Sequence, residues 1–226
     1  MAKGSGNTRG TNITMENLQV QMNHPKKQDD TWEDNSKTIG LLKQLTSIKS
    51  DKLAKDYLDA VEKFTGTYSY DIRKVQSGDY TDLDYDKKEV KKAAKNLEEF
   101  IKLSPKWEGG ITYRGITLSE KELNDFISDA KSTKGVSMRG ASSWSTNRDV
   151  ADNAMMYFDY DSVDKFGNPK NCRVILRCKK QKYATSIDYL SVNYGQDEVV
   201  ASSRARYKLV QVRNSGDNYF IDIEAK

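Results

Sequence analysis

Three short segments carry side chains that suit one chemical task, although they lie far apart in the sequence. They are Tyr113-Arg114-Gly115, Ser145-Thr146-Asn147 and Gln196-Asp197-Glu198. A guanidinium offers planar, permanently charged donors that suit phosphate groups, and a neighbouring glycine lets the backbone approach a ligand closely. A carboxylate can stabilise the positive charge that develops when a glycosidic bond breaks. Together the segments predict a site for cleaving a phosphorylated glycoside.

Each segment adjoins a run of residues that favours a strand. Arg114 ends the run 111–113, Ser145 closes the run 141–145, and Glu198 opens the run 198–200. Residues of the β-branched and aromatic types are enriched in strands. We therefore expect three strands to bring a guanidinium, a hydroxyl and a carboxylate to one pocket.

In their order and content these segments resemble the arginine–serine–glutamate branch of the mono-ADP-ribosyltransferase superfamily. Clostridial Rho-modifying toxins and binary actin toxins belong to this branch, which is marked by aromatic-Arg-Gly, Ser-Thr-Ser and Glu/Gln-x-Glu. The resemblance extends over roughly residues 60–226, and the stretch 64–73 is similar to the family's first helix over the NAD cleft. Asn147 departs from the pattern, which usually has Ser or Thr there. The departure is mild, because Asn caps a helix about as well as Ser.

The resemblance implies a role for each residue of the site, with NAD as the substrate and no metal. Glu198 stabilises the oxocarbenium-like ribose, and Ser145 hydrogen-bonds to Glu198 and orients it. Arg114 binds the pyrophosphate, while the backbone at Gly115 holds the nicotinamide amide. Thr146 joins the NAD-binding set, although a Ser-Thr pair before a helix is often only a cap.

Aromatic residues are expected to stack on nicotinamide. By its position, the irregular stretch between 158 and 171 resembles the family's loop that closes over phosphate and nicotinamide. Tyr157 and Phe158 are assigned to the NAD-binding set, Tyr160 and Phe166 remain open as alternatives, and the helical spacing of Phe158 also suits the core.

Gln196 indicates the class of acceptor. In the resembled family, Glu at this position accompanies transfer to arginine, and Gln accompanies asparagine, glutamine or guanine acceptors. A neutral amide or purine edge is matched by the donor and acceptor of a Gln side chain. We therefore expect a non-arginine acceptor. Tyr194, in the turn before Gln196, is a candidate for contacting it, whereas Tyr189 is expected in the core.

The sequence is compatible with three functional hypotheses. The leading one is a mono-ADP-ribosyltransferase that acts as a toxin, phage effector or defence factor on a protein or nucleic acid. A plain NAD glycohydrolase is a close variant, because water can replace the acceptor. The third is a non-catalytic binding or virion-structural module that retains the fold. Each segment alone has an ordinary structural explanation, such as a solvated arginine or an exposed strand edge.

Composition limits the partners and the compartment. The 226 residues carry a net charge of +4, which permits a nucleic-acid acceptor without requiring one. No apolar run approaches the ~18 residues of a membrane span, and the first residues lack a secretory signal, so we expect a cytoplasmic protein that can be delivered to a target cell. An immunity partner or a phage particle is a possible associate. Cys172 and Cys178 flank one strand too long for a disulfide between them, and the single His24 argues against zinc.

The pattern along the chain predicts an α+β fold. Residues 1–35 are polar and aperiodic and are expected to form a loosely attached arm. Residues 36–226 are expected to form one domain, with a helical part at 36–108 and a mainly β catalytic part at 109–226. The resemblance implies two packed, mainly antiparallel sheets that form the NAD cleft beside the helical layer.

Overall fold

The computed structural model describes residues 36–157, 163–191 and 195–226, with side chains for all of these except 36, 37 and 155–157. The predicted arm at 1–35 therefore lies outside the described residues. So do Phe158, Tyr160 and Tyr194, together with the side chain of Tyr157.

Four helices make up the helical layer. They are α1 (Ser36–Thr46), α2 (Asp51–Thr65), α3 (Ser69–Gln76) and α4 (Lys87–Leu103). Side-chain caps begin two of them, since Ser50 accepts a hydrogen bond from the backbone of Leu53 and Asp86 accepts from two backbone N–H groups of α4. Helix α4 has an apolar stripe with helical spacing, which is buried and consists of Val90, Ala93, Ala94, Leu97, Phe100 and Ile101.

Two further helices lie among the strands. Helix α5 (Glu120–Lys131) begins with a capping box, in which Ser119 and Glu122 each form a hydrogen bond with the other's backbone. Helix α6 (Arg148–Tyr157) follows Asn147, whose Oδ1 accepts a hydrogen bond from the Asp149 backbone at 2.9 Å. Asn147 therefore caps a helix as its sequence context predicts.

Seven strands form one hydrogen-bonded sheet. They are β1 (Thr112–Leu118), β2 (Ser142–Ser145), β3 (Cys172–Cys178), β4 (Ala184–Ser186), β5 (Glu198–Ala201), β6 (Tyr207–Ser215) and β7 (Asn218–Ala225). Their order is β4-β5-β2-β1-β3-β7-β6, and only the β3–β7 pair is parallel. The fold is α+β as expected, but the expected pair of separate sheets is not confirmed, because the described strands belong to one mixed sheet.

This sheet is narrow at its centre and folds back on itself. A single registered pair, Tyr113 with Ser145, joins β1 to β2. In a flat sheet, β2 and β6 would lie about 19 Å apart, four steps of about 4.8 Å. The rings of Trp144 on β2 and Tyr207 on β6 are instead 5.4 Å apart between centroids. The two ends of the sheet therefore face each other across a shared apolar core.

Strand β5 separates two parts of the core. Val199 and Ala201 point into the core between the ends of the sheet, together with Trp144 and Tyr207. Val200 points the opposite way, into the core of the helical layer. Helix α6 covers another face through Ala151, which packs on Ile175 of β3. This arrangement leaves a cleft bordered by α2, α3, α6 and the centre of the sheet.

Both cysteines are buried and free, at opposite ends of β3. The described helices include none of the length and apolar character that a membrane crossing requires. Within the described ranges there is also no cluster of three or more His, Cys, Asp or Glu side chains able to hold a metal ion.

Candidate active site

Strand register places the three predicted segments side by side. Ser145 is paired with Glu198 across β2 and β5, and it is also paired with Tyr113, the neighbour of Arg114, across β2 and β1. Ser145 ends β2 and Glu198 begins β5, as the sequence predicts. Arg114 does not end its strand, because β1 continues to Leu118 through seven registered pairs with β3. The three segments thus meet where three adjacent strands lie together.

A cleft of about 380 Å³ opens at this meeting point. Its volume falls within the range of about 300–1,000 Å³ that is usual for small-molecule sites. Five of the predicted residues line it, namely Arg114, Gly115, Ser145, Gln196 and Glu198. Helices α2 and α3 complete its wall with Phe64, Thr65, Ser69 and Arg73.

Other predicted ligand contacts are not part of this wall. Thr146 donates its backbone N–H to the Asp197 carbonyl at 3.2 Å, which extends the β2–β5 pairing, and its side chain does not line the cleft. Phe166 is 60% exposed and has Lys121 and Lys165 over its ring, so it does not line the cleft either. Tyr157 and Phe158 cannot be placed, since their side chains lie outside the described part of the chain.

Glu198 is buried at the floor of the cleft and is held by a serine that the sequence reasoning missed. Its Oε2 accepts a hydrogen bond from Ser191 Oγ at 2.7 Å. The predicted partner, Ser145, instead donates to the Gln196 carbonyl at 2.5 Å and accepts from the Asn147 N–H at 2.9 Å. That prediction was wrong because the Ser145 hydroxyl has one hydrogen to donate, and it donates it to the backbone carbonyl of the turn before β5.

The surroundings of Glu198 act on its charge in opposite directions. Burial is the largest influence and raises the pKa of the carboxyl group. The hydroxyls of Ser143 and Ser191 favour the ionised form, as does the positive charge of Arg114, whereas the carboxylate of Asp188 opposes it. Hydrogen bonds to a charged form and opposite charges nearby both lower the pKa of an acid. The site therefore holds a desolvated carboxyl group whose charge is supported by two hydroxyls and Arg114 and opposed by burial and Asp188.

Two guanidinium groups enter the cleft without a neutralising ion pair among the described residues. Arg114 donates from Nη1 to the Ser143 carbonyl at 2.6 Å, and Arg73 on α3 donates from Nε to the Ser69 carbonyl at 3.2 Å. Burial, together with the positive charge of Arg73, lowers the pKa of Arg114 to about 9. Two like charges in a desolvated cleft are suited to an anion.

Arg73 belongs to the stretch 64–73, for which the sequence predicts a helix but no role of this arginine in the site. Its place in the cleft depends on the close approach of α3 to the segment before β2, at Gly140. A Cβ on Gly140 would lie 2.9 Å from the Cα of Arg73, and its φ of +141° is rare for other residues. No local pattern in the sequence signals this contact between distant segments.

No protein-family model matches the sequence, and no curated protein matches it. Several solved structures, however, are similar to this chain. The ADP-ribosyltransferase Vis, a toxin from Vibrio splendidus solved in complex with the M6 inhibitor, superposes with a TM-score of 0.60 at 18% identity, over 89% of this chain and 88% of Vis. Exoenzyme S from Pseudomonas aeruginosa, in complex with human 14-3-3 protein beta and bound to carba-NAD, gives 0.56 at 14% identity, over 85% and 82%.

The C3 exoenzyme of Clostridium limosum gives a TM-score of 0.51 at 13% identity, over 84% of this chain and 92% of that enzyme. Vis is an ADP-ribosyltransferase. The chain therefore has the fold of this ADP-ribosyltransferase, which exoenzyme S and the C3 exoenzyme share.

Proposed function

We propose that the chain is a mono-ADP-ribosyltransferase that uses NAD as its ADP-ribose donor. The observation that carries the proposal is the convergence of Arg114, Ser145 and Glu198 from three adjacent strands on one cleft. The fold shared with Vis, exoenzyme S and C3 exoenzyme supports it. Residues 36–226 are assigned to this domain, and the protein is proposed to act as a toxin or effector.

The two arginines are assigned to the pyrophosphate of NAD. A guanidinium forms paired hydrogen bonds with phosphate oxygens, and Arg114 and Arg73 bring two such groups to one cleft. Because neither forms an ion pair among the described residues, binding of a dianionic pyrophosphate neutralises both. Gly115 lines the same wall and leaves its backbone open to the ligand.

Glu198 is assigned to the ribose. When the bond between ribose C1′ and nicotinamide nitrogen breaks, nicotinamide leaves with the bonding electrons and positive charge develops on the ribose. A carboxylate fixed in a desolvated site stabilises such charge without reorganising, an effect worth a few kcal/mol. The acceptor nitrogen then bonds to C1′ and releases a proton. If water attacks instead, the reaction is NAD hydrolysis.

Gln196 is assigned to the acceptor, which we propose to be an amide side chain or a guanine base rather than arginine. The side chain is exposed and lines the mouth of the cleft, two residues before Glu198. Vis has been solved with agmatine, a compound that carries a guanidino group and so serves as a probe. We expect the wild-type chain to leave agmatine unmodified. Modification of agmatine is expected only with the Gln196→Glu variant.

NAD consumption tests the enzyme assignment. Glu198→Ala is expected to lower NAD turnover at least about 100-fold, because it removes the charge that stabilises the transition state. Gln196→Ala is expected to spare hydrolysis and to lose transfer to macromolecular acceptors, measured with radiolabelled NAD. Glu224→Ala, an exposed glutamate on β7, is the matched control. Folded wild-type protein that consumes no NAD above background would instead favour a binding module.

A further inference from the structure

The turn that presents Gln196 and Glu198 to the cleft has an unusual backbone. Asp197, between them, has a φ of +48°, and Gly195 before them has a φ of +75°. Glycine adopts such angles freely, and aspartate does so more often than most residues with a side chain, although the conformation still costs energy. Contacts with neighbouring groups can therefore stabilise the turn in this conformation.

Asp188 is placed to make such contacts. Its half-buried carboxylate faces the backbone N–H groups of Glu198, Asp197 and Gln196, and Oδ1 accepts a hydrogen bond from the Glu198 N–H at 3.4 Å. Successive N–H groups around a left-handed residue form a concave site for an anion. Burial raises the pKa of Asp188, and the N–H groups oppose this rise. The carboxylate thus lies where the N–H groups of residues 196–198 converge.

The segment that carries Asp188 also contacts Glu198 at two other points. The Ile187 N–H donates to the Glu198 carbonyl at 2.9 Å, and Ser191 Oγ donates to the Glu198 carboxylate at 2.7 Å. The Ser191 N–H in turn donates to the Ile187 carbonyl at 2.9 Å, which closes residues 187–191 into a turn. One short turn therefore contacts both the backbone and the side chain of the residue assigned to the ribose.

We propose that Asp188 is a positioning residue, whose carboxylate holds the turn 195–198 so that Gln196 and Glu198 point into the cleft together. This proposal rests on the proposed function for its catalytic consequence. Its structural claim, that Asp188 holds the turn, is independent of that function.

Gln196 and Glu198 differ in the other hydrogen bonds that hold them. Glu198 begins a strand that pairs with β2, and Ser191 bonds its side chain. Gln196 precedes the strand, and its backbone carbonyl is held by Ser145. Loss of Asp188 should therefore disturb Gln196 more than Glu198, and transfer to an acceptor more than hydrolysis.

The test compares Asp188→Asn with wild type by hydrogen–deuterium exchange and by NAD hydrolysis. We expect exchange of the amides at 196–198 to accelerate about tenfold, because the substitution removes the charge that the three N–H groups face. We expect kcat for hydrolysis to fall about threefold to tenfold with little change in KM for NAD, since the disturbed group acts in the transition state. Asp79→Asn, an exposed aspartate that bonds its own loop at Thr81, is the control.

A pH profile separates positioning from a general loss of structure. Asp188 faces the charges of Asp197 and Glu198, and Glu198 faces those of Asp188 and Arg114. Removing the Asp188 charge should lower the pKa of Glu198 and move the acid limb of kcat to lower pH, which unfolding alone would not do. Unchanged amide exchange at 196–198 would overturn the proposal. Absence of NAD turnover in the wild type would overturn the proposed function, and the exchange measurement would still decide the role of Asp188.

Discussion

At the scale of single residues, the ionisation of Glu198 sets the pH range of the proposed reaction. The carboxylate must be charged to stabilise a cationic ribose, and burial raises its pKa. Activity is therefore expected to be lost as pH falls through this raised pKa, at a higher pH than an ordinary glutamate with a pKa of about 4.3 would give.

Ser191→Ala provides the corresponding prediction. The Ser191 hydroxyl donates to the ionised carboxylate, so its removal should raise the pKa of Glu198 further. We expect the acid limb of kcat for NAD hydrolysis to move to higher pH, because the ionised carboxylate loses a hydrogen-bond donor. This direction is opposite to that expected for Asp188→Asn. The control is Ser203→Ala, because Ser203 contacts Glu98 through its backbone N–H. This change should leave the acid limb of kcat at the same pH. A shift of the acid limb to lower pH in Ser191→Ala would contradict the role of Ser191 as a donor to the Glu198 carboxylate.

At the scale of elements, the cleft depends on how closely α3 approaches the sheet. Gly140→Ala would place a methyl group 2.9 Å from the Arg73 Cα and would impose a φ of +141° on an alanine. We expect a loss of about 1–3 kcal/mol in the free energy of unfolding, together with a higher KM for NAD, because α3 carries Arg73. Chemical denaturation and initial-rate kinetics measure the two effects.

Gly110→Ala is the control for this change. An added Cβ at Gly110 meets no atom within 4 Å, and its backbone is not in the left-handed region. Its stability should change by less than about 0.5 kcal/mol. If Gly140→Ala lowered stability without altering KM, the contact would support the fold but would not position Arg73.

The features that can be predicted from the sequence depend on interactions between nearby residues, whereas those that cannot depend on contacts between distant segments. The capping box at Ser119, the stripe on α4 and the β6–β7 hairpin are encoded within a few residues, so they can be predicted. The hydrogen-bond partners of Ser145 and Glu198 depend on two separate segments, 187–191 and 195–198, and no local sequence pattern shows that these segments meet at the site. The single sheet depends on the parallel pairing of β3 with β7, which are separated by three other strands in sequence.

At the scale of the whole molecule, one carboxylate joins the helical layer to the sheet. Glu98 on α4 accepts hydrogen bonds from Ser202 Oγ at 2.7 Å and from the Ser203 N–H at 2.7 Å, both just after β5. It also accepts from Gln76 Nε2 at 3.1 Å, while Gln76 Oε1 accepts from the Ala141 N–H at 2.7 Å. Glu98 and Gln76 therefore connect α3 and α4 to the segments on either side of the strands that carry the site.

Glu98→Ala tests whether this network sets the width of the cleft. Because three donors would lose a charged partner, we expect the free energy of unfolding to fall by about 2–3 kcal/mol, and KM for NAD to rise as α3 separates from β2. Glu99→Ala, the neighbouring half-buried glutamate with only a long contact to Tyr57 and a surface pair with Lys95, should cost less than about 1 kcal/mol. In a Gln76→Ala background, Glu98→Ala should lower the free energy of unfolding by about 1 kcal/mol less than it does in the wild type, since the effects of substitutions within one hydrogen-bond network are not additive. Additive costs would mean that the helical layer and the sheet are held together elsewhere, and that the cleft does not depend on this contact.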